Sequence, residues 1–221
     1  PASVKPTTTD TVPLAGFIYT APGCCITWPD GSTSWKIPVI NGLSDQSHPC
    51  QVMSDILTFE ENNGNIEGKT ISWIGDGNNN MSNSFIEAAV KFKFNLKIGC
   101  PKKYSPSDKI LKWASKNKSK IFVTKDPREA AKDADCIMTD KWVSMNDKVN
   151  KKAKKKSLKD YQVNKKLFKL AKTDCIFMHC LPVGRGEEVT DDIIDGNKSV
   201  VWQQAYNRVH AQKSIINWCL N

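Results

Sequence analysis

A chain of 221 residues, 39% hydrophobic and 25% charged, has the composition of a soluble globular protein with enough length for a sizeable core. The net charge of +9 invites a nucleic-acid partner, yet of the 32 basic residues only Arg128, Arg185 and Arg208 carry the planar fork that phosphates and bases favour. The lysines read as a solvated surface, densest at 148–159, so nucleic acid is not expected as a partner; nor is a membrane, since no apolar run approaches a span and no signal peptide opens the chain.

Residues 1–35 are rich in Pro, Thr, Gly and Ser and show no helical period, with turns at Ala21-Pro22-Gly23 and Pro29-Asp30-Gly31. Phe17-Ile18-Tyr19 suits a strand or hairpin; no function is assigned to this segment. From residue 48 the pattern sharpens. Val52, Met53, Ile56, Leu57 and Phe59 fall at helical spacing over 48–60, and Asn62-Asn63-Gly64 ends the helix. A strand at 71–74 leads into Gly75-Asp76-Gly77-Asn78-Asn79-Asn80, followed by a helix over 82–92 and a strand at 96–98. A helix with Pro in its first turn is predicted over 106–116, a strand at 121–123, a short helix over 127–132 and a strand at 136–138. A helix over 163–171 precedes the apolar run Cys175-Ile176-Phe177-Met178. A last strand at 200–202 leads into a C-terminal helix. Strands alternating with helices predict an α/β fold, a doubly wound, mostly parallel sheet with helices on both faces.

In such a sheet ligands bind at the carboxyl ends of the strands, and three of those ends are polar. Gly75-Asp76-Gly77-Asn78-Asn79 begins like a dinucleotide fingerprint but has Asn80 where the third glycine belongs. No acidic residue ends the next strand to hold a ribose. The segment therefore suits either a small polar ligand or a plain strand–helix turn. Asp140-Lys141-Trp142-Val143-Ser144-Met145 offers a carboxylate for an ammonium group and a hydroxyl for a carboxylate; Asp140 as the cap of a following helix is the competing reading. His179-Cys180-Leu181-Pro182 places a thiol beside an imidazole, with Pro182 stopping the strand. His48 and Gln51 share one face at a helix start, where free N–H groups favour anionic or carbonyl oxygens; capping is their competing role. Eight cysteines without C-x-x-C spacing, two of them the adjacent Cys24 and Cys25, suit neither a disulfide frame nor a metal site, and a reducing cytoplasm is the expected compartment.

Taken together these segments resemble the aspartate/ornithine carbamoyltransferase superfamily, on its ornithine side. The residues that carry the resemblance run from Asn41-Gly42-Leu43-Ser44-Asp45 and His48-Pro49-Cys50-Gln51, through Trp73-Ile74-Gly75-Asp76-Gly77-Asn78-Asn79 and Thr139-Asp140-Lys141-Trp142-Val143-Ser144-Met145, to His179-Cys180-Leu181-Pro182. Arg185-Gly186-Glu187-Glu188-Val189, Asn207-Arg208 and His210-Ala211-Gln212-Lys213 close the set. The resemblance implies transfer of a carbamoyl group from carbamoyl phosphate to the δ-amino group of L-ornithine, giving citrulline and phosphate, with no metal or organic cofactor. It implies that His48 and Gln51 contact the carbamoyl group and Arg208 its carbonyl oxygen, with Leu181 adding backbone there. Asn79, Ser144 and Met145 would hold the α-amino and α-carboxylate groups of ornithine, and Asp140 and Cys180 would flank its δ-nitrogen. Residues 36–221 then form the ornithine-binding domain. The phosphate-gripping Ser-Thr-Arg-Thr loop of the family's amino-terminal domain is not found, and no arginine precedes Arg128. Little turnover is therefore expected of these residues alone, and a catalytically inactive ornithine-binding fragment or regulatory module is the alternative. The family's trimers are built mainly through that other domain, so no oligomeric state is assigned. Lys141 and Asn146 depart from the family pattern in the loop over ornithine.

Overall fold

The computed structural model describes residues 18–20, 38–143 and 150–220. Most of the 1–35 segment, Phe17 included, lies outside them, as do Ser144, Met145 and Asn146. The short piece expected near Ile18 is β1 (Ile18–Thr20), paired antiparallel with β2 (Pro38–Ile40). The rest alternates: α1 (Pro49–Asn63), β3 (Thr70–Ile74), α2 (Asn80–Phe92), β4 (Asn95–Gly99), α3 (Asp108–Lys116), β5 (Ile121–Thr124), α4 (Pro127–Ala131) and β6 (Cys136–Thr139). There follow α5 (Lys151–Leu158), α6 (Lys165–Phe168), β7 (Ile176–His179), α7 (Asp191–Ile194) and α8 (Val201–Leu220).

The five strands β3 to β7 form one parallel sheet in the order β5-β4-β3-β6-β7. Side chains alternate between its faces, as a strand period of two requires. Ile71, Trp73, Leu96, Ile98, Cys136, Met138, Ile176 and Met178 pack with Val52, Ile56, Phe59 and Phe85. Ile74, Ile137 and Phe177 pack on the other face with Ala130, Leu158 and Val201. Burial on both faces is why the strands read as continuous apolar runs. The chain winds outward from β3 to β5, then returns to lay β6 against the other side of β3. The strand order therefore reverses between β3 and β6, the place where a crevice opens in sheets of this kind. This is the doubly wound sheet the alternation predicts. Among the described residues no helix is long and apolar enough to cross a membrane.

Four local expectations are corrected. Residues 200–202 are not a strand: the sheet edge is met by one isolated bridge, Ser199 to Phe177, through Phe177 N–H to Lys198 O and Val200 N–H to Phe177 O, and the Gln204 N–H on the Val200 carbonyl turns the chain into α8. The helix expected over 163–171 shrinks to α6. Val163 is instead held in extended pairing, donating to Glu188 O and accepting from Thr190 N, and the Asn164 side chain caps the turn after it. Pro106 lies ahead of the cap Ser107 rather than in the first turn of α3. The lysine run contains α5, capped by Asn150, with Lys154 and Leu158 buried; lysines on every face hide the apolar period there.

α8 buries Val201, Gln204, Asn207 and Ala211 against the body, while Trp202, Tyr206, Val209, Ile216, Trp218 and Leu220 are exposed. Phe59→Ala is expected to cost about 3–5 kcal/mol, because it empties a fully buried site. Trp218→Ser, at a side chain 65% exposed, is expected to change stability by less than ~0.5 kcal/mol. Urea unfolding of the two variants measures both.

Candidate active site

Three adjacent strand ends, those of β3, β6 and β7, build one wall of the crevice. After β3 the backbone turns through Gly75 at φ +129° and passes Gly77, where a Cβ would sit 2.9 Å from both Cys100 Sγ and the Tyr104 carbonyl oxygen. Neither position accommodates a side chain without strain. The Asp76 carboxylate braces the turn, accepting the Asn78 N–H at 2.9 Å and pairing with Lys154 Nζ at 2.7 Å. Lys154 reaches it from α5 and also lies 5.6 Å from the Tyr104 ring centre. Asn79 then does two jobs. Its Oδ1 caps α2 in a reciprocal box with Ser82, and its Nδ2 donates to Asp140 Oδ2 at 3.4 Å.

Asp140 opens the turn after β6 and Cys180 the turn after β7. The thiol donates to Asp140 Oδ1 at 3.0 Å, and the Lys141 N–H donates to the same oxygen at 2.6 Å. Among the described residues the next helix begins at Lys151 under Asn150. Burial pushes the Asp140 carboxyl up from the usual range, opposed chiefly by the Cys180 hydrogen bond. Burial first, then the neighbouring Asp140 charge, raises Cys180 well above an ordinary thiol. Cys180 therefore acts on Asp140 as a protonated thiol donor.

His179 holds the cysteine turn. Its Nδ1 accepts the Leu181 N–H at 2.9 Å, which assigns the ring proton to Nε2, 3.3 Å from Glu188 Oε1. Glu188 Oε1 also accepts the Gly184 N–H. A Cβ on Gly184 would fall 2.7 Å from the other Glu188 oxygen, so the turn passes too close for a side chain. Leu181 itself sits at φ +55° ahead of a cis peptide bond to Pro182. Asp140, His179 and Cys180 bring potential metal-ligand atoms within 4.8 Å of one another, but both ring nitrogens of His179 are already engaged.

The facing wall comes from the start of α1 and from α8. His48 occupies the N-cap position of α1 without a side-chain cap bond; its backbone N–H goes to Ser84 Oγ at 2.8 Å. The imidazole is thereby left to face Arg208, with Nε2 3.5 Å from Nη1. Burial, then the guanidinium, lowers the His48 pKa to about 4, keeping the ring neutral. Arg208 Nη1 also donates to Gln51 Oε1. Behind Gln51, its Nε2 donates to Asp55 Oδ1 at 2.7 Å. Burial raises the Asp55 carboxyl to about 7, against the opposing hydrogen bonds of Gln51 and Gln204. The 41–47 loop is braced on α2 by Asn80 Nδ2 to Ser44 O at 3.0 Å and Asn83 Nδ2 to Gln46 O at 3.2 Å.

Residues 67–219 match the family model described as aspartate/ornithine carbamoyltransferase, Asp/Orn binding domain. The chain belongs to the aspartate/ornithine carbamoyltransferase family. It is 54% identical over 184 residues to an ornithine carbamoyltransferase of Rhodopseudomonas palustris, covering 83% of this chain and 59% of that protein. It is 50% identical to one of Brucella abortus, with 83% and 58% covered. Among solved structures, the ornithine carbamoyltransferase from Pyrococcus furiosus superimposes with a TM-score of 0.75 at 46% identity, over 80% of this chain and 58% of that one. The anabolic ornithine carbamoyltransferase from Campylobacter jejuni does so with 0.77 at 36% identity, over 82% and 61%. The chain thus spans about three fifths of the length of these relatives.

Of the residues singled out in the carbamoyltransferase pattern, Asn79, Asp140 and Cys180 meet on one wall and His48, Gln51 and Arg208 on the other, with Leu181 in the turn after Cys180. Ser144 and Met145 lie outside the described residues. Sequence reasoning missed Asp55, Gln204, Glu188 and Lys154. Asp55 carried a signal, being an acid among the buried positions Val52, Ile56 and Phe59 of α1. Lys154 carried none, one lysine among many.

The site titrates in opposing senses. The raised carboxyl of Asp55 contributes stability present below the ordinary carboxylate pKa near ~4 and lost as pH rises through about 7; raised Asp140 acts in the same direction. The lowered His48 contributes stability present above about 6.5 and lost as pH falls through about 4. Asp55→Asn is therefore expected to leave stability rising more steeply between about pH 4 and 6.5 than in the parent, and His48→Gln to make it fall more steeply. Chemical denaturation across that range reads both slopes. Lys154→Ala, which leaves the Asp76 carboxylate buried without its ion pair, is expected to cost about 3–5 kcal/mol in the same assay.

Proposed function

We propose that this chain supplies the ornithine half of a carbamoyltransferase site, passing the carbamoyl group of carbamoyl phosphate to the δ-nitrogen of L-ornithine. The observation that carries the reading is the Cys180 thiol on the Asp140 carboxyl at 3.0 Å, at the reversal of strand order and beside Asn79. Residues 36–221 are the ornithine-binding domain in this reading. Asn79, Ser144 and Met145 take the α-amino and α-carboxylate groups, and Asp140 and Cys180 flank the δ-nitrogen. His48 and Gln51 meet the carbamoyl group and Arg208 its carbonyl oxygen. The Leu181 N–H is already given to His179, so Leu181 offers its carbonyl oxygen to the carbamoyl amine.

In the reaction the δ-nitrogen lone pair forms a bond to the carbamoyl carbon, the bond from that carbon to the phosphate oxygen breaks, and the nitrogen sheds a proton. A free alkylamine has a pKa near ~10, so the attacking amine must be held neutral and its proton accepted; Asp140 is the base beside it. Arg208, aimed at the developing oxyanion, is a contact worth about 3 kcal/mol. Holding two substrates in attack geometry supplies up to ~7–11 kcal/mol. The carbamoyl group arrives activated by its phosphate, so the transfer itself calls for no cofactor. A reducing, cytoplasm-like compartment fits the six free cysteines among the described residues.

Calorimetric titration with L-ornithine, with and without carbamoyl phosphate, tests the reading. Saturable binding weakened at least ~10-fold in Asp140→Ala is the expected result, the scale of a lost hydrogen bond to a charged group. Absence of binding under both conditions would sink the ornithine assignment. The 221 residues by themselves are expected to form little or no citrulline, because the family's phosphate-gripping loop is not among them. Ornithine binding with no citrulline, even with a relative's amino-terminal segment added, would point to a non-catalytic ornithine-binding module. Sedimentation of the same samples reports whether they form the family's trimer.

A further inference from the structure

Asp55 is fully buried in α1 and, of the groups placed on substrate, bonds Gln51. Its Oδ1 accepts two side-chain amides, Gln51 Nε2 at 2.7 Å and Gln204 Nε2 at 2.6 Å. A carboxamide has nearly the same shape in its two flipped orientations, and only its partners decide which atom faces where. Both amides meet the same oxygen, and Oδ1 accepts whether Asp55 is ionised or carries its proton on Oδ2, which is buried without a hydrogen-bond partner. Oδ1 therefore turns both amide nitrogens inward and both oxygens outward. The Gln51 oxygen faces Arg208. The Gln204 oxygen takes the backbone N–H of His179 at 2.9 Å, one residue before Cys180. Neighbouring polar contacts, Ser54 Oγ on Gln204 O and Asn207 Nδ2 on Thr58 Oγ1, fasten α1 to α8 but leave the amide orientation open.

We infer that Asp55 is a positioning residue of this site: it fixes Gln51 with its oxygen toward the carbamoyl group and, through Gln204, holds the backbone that carries Cys180 and Leu181. The functional consequence rests on the carbamoyl-transfer reading; the orientation itself does not. With oxygens presented by Gln51 and by the Leu181 backbone, the pocket accepts N–H groups and offers nothing to a methyl. Asp55 thereby acts, through Gln51, in distinguishing a carbamoyl group from an acetyl group of similar size.

The test uses the isotope-labelled chain in four forms: parent, Asp55→Leu, which keeps roughly the volume and loses the acceptor, Asp55→Asn, which keeps an acceptor oxygen, and Gln204→Met. In the parent, the Gln51 and Gln204 side-chain amide protons are expected to exchange slowly with solvent. Asp55→Leu is expected to speed both at least ~10-fold, and Asp55→Asn to retain the protection. The preference for carbamoyl phosphate over acetyl phosphate is expected to fall at least ~10-fold in Asp55→Leu and less than ~3-fold in Asp55→Asn. A general loosening of the fold would weaken both ligands together and leave the ratio unchanged. A folded Asp55→Leu chain with Gln51 still protected, or with the ratio within ~2-fold of the parent, overturns the inference. If Asp55→Leu fails to melt cooperatively, Gln204→Met decides: shifted Cys180 and Leu181 backbone amides with Gln51 unchanged support it, and unmoved ones overturn it. If the parent binds neither phosphate compound, the functional reading fails while amide exchange still decides the role of Asp55.

Discussion

Everything in this site depends on β6 lying beside β3 rather than continuing past β5. Because the chain returns across the sheet, the turn after β3 and the turn after β6 open side by side. Asn79 and Asp140 can meet there only because of that pairing, and Cys180 joins them because β7 is the next strand out. The glycines at 75 and 77 are consequences of the same crowding. The turn must pass under Cys100 and Tyr104 and still deliver Asn79 to the mouth of the crevice. Even the buried Lys154–Asp76 pair serves this geometry, tying α5 to the β3 turn.

The second wall is held by a different kind of contact. α1 and α8 meet through buried polar side chains: Ser54, Asp55 and Thr58 from one helix, Gln204 and Asn207 from the other. An apolar seam of the same size would bind the helices at least as well. What hydrogen bonds add is register. They fix how far Arg208 lies along α8 from Gln51 and His48 on α1, and they pass from α8 into the backbone of β7 through Gln204. The two walls are therefore not independent, and the helix pair and the cysteine turn are parts of one hydrogen-bonded structure.

The fold was legible because parallel strands buried on both faces leave apolar runs, unbroken at Cys136-Ile137-Met138 in β6 and Ile176-Phe177-Met178 in β7 and interrupted by Ser72 in β3 and by Lys97 in β4. Where the sequence misled, a local preference lost to a partner it could not reveal. Val200, Val201 and Trp202 have the residue types of a strand, but the edge of β7 is used up by Lys198 and Val200, and the chain turns into α8. Val163 looks like the start of a helix and is instead pulled into extended pairing by the 188–190 segment. The residues that face substrate in this reading sit at strand and helix ends, where polar clusters stand out. Those that hold them in place, Asp55, Gln204 and Lys154, lie inside helices, where one polar residue looks like the next and only the packing tells them apart.

Electrostatically, the walls divide the labour. Burial keeps the His48 ring neutral and pushes both Asp55 and Asp140 toward their protonated forms, while Cys180 keeps its proton outright. The guanidinium of Arg208, by contrast, stays charged at neutral pH. In the carbamoyl-transfer reading, a carbonyl oxygen gaining negative charge meets it there. The raised carboxyl of Asp140 has the complementary use. A carboxylate is a poor base toward an amine whose own pKa lies near ~10, and every upward displacement narrows that gap. In that reading the same dehydration that makes Asp140 costly to bury makes it better suited to receive the amine's proton, while the Asn79 and Lys141 N–H groups hold its carboxyl oxygens in place.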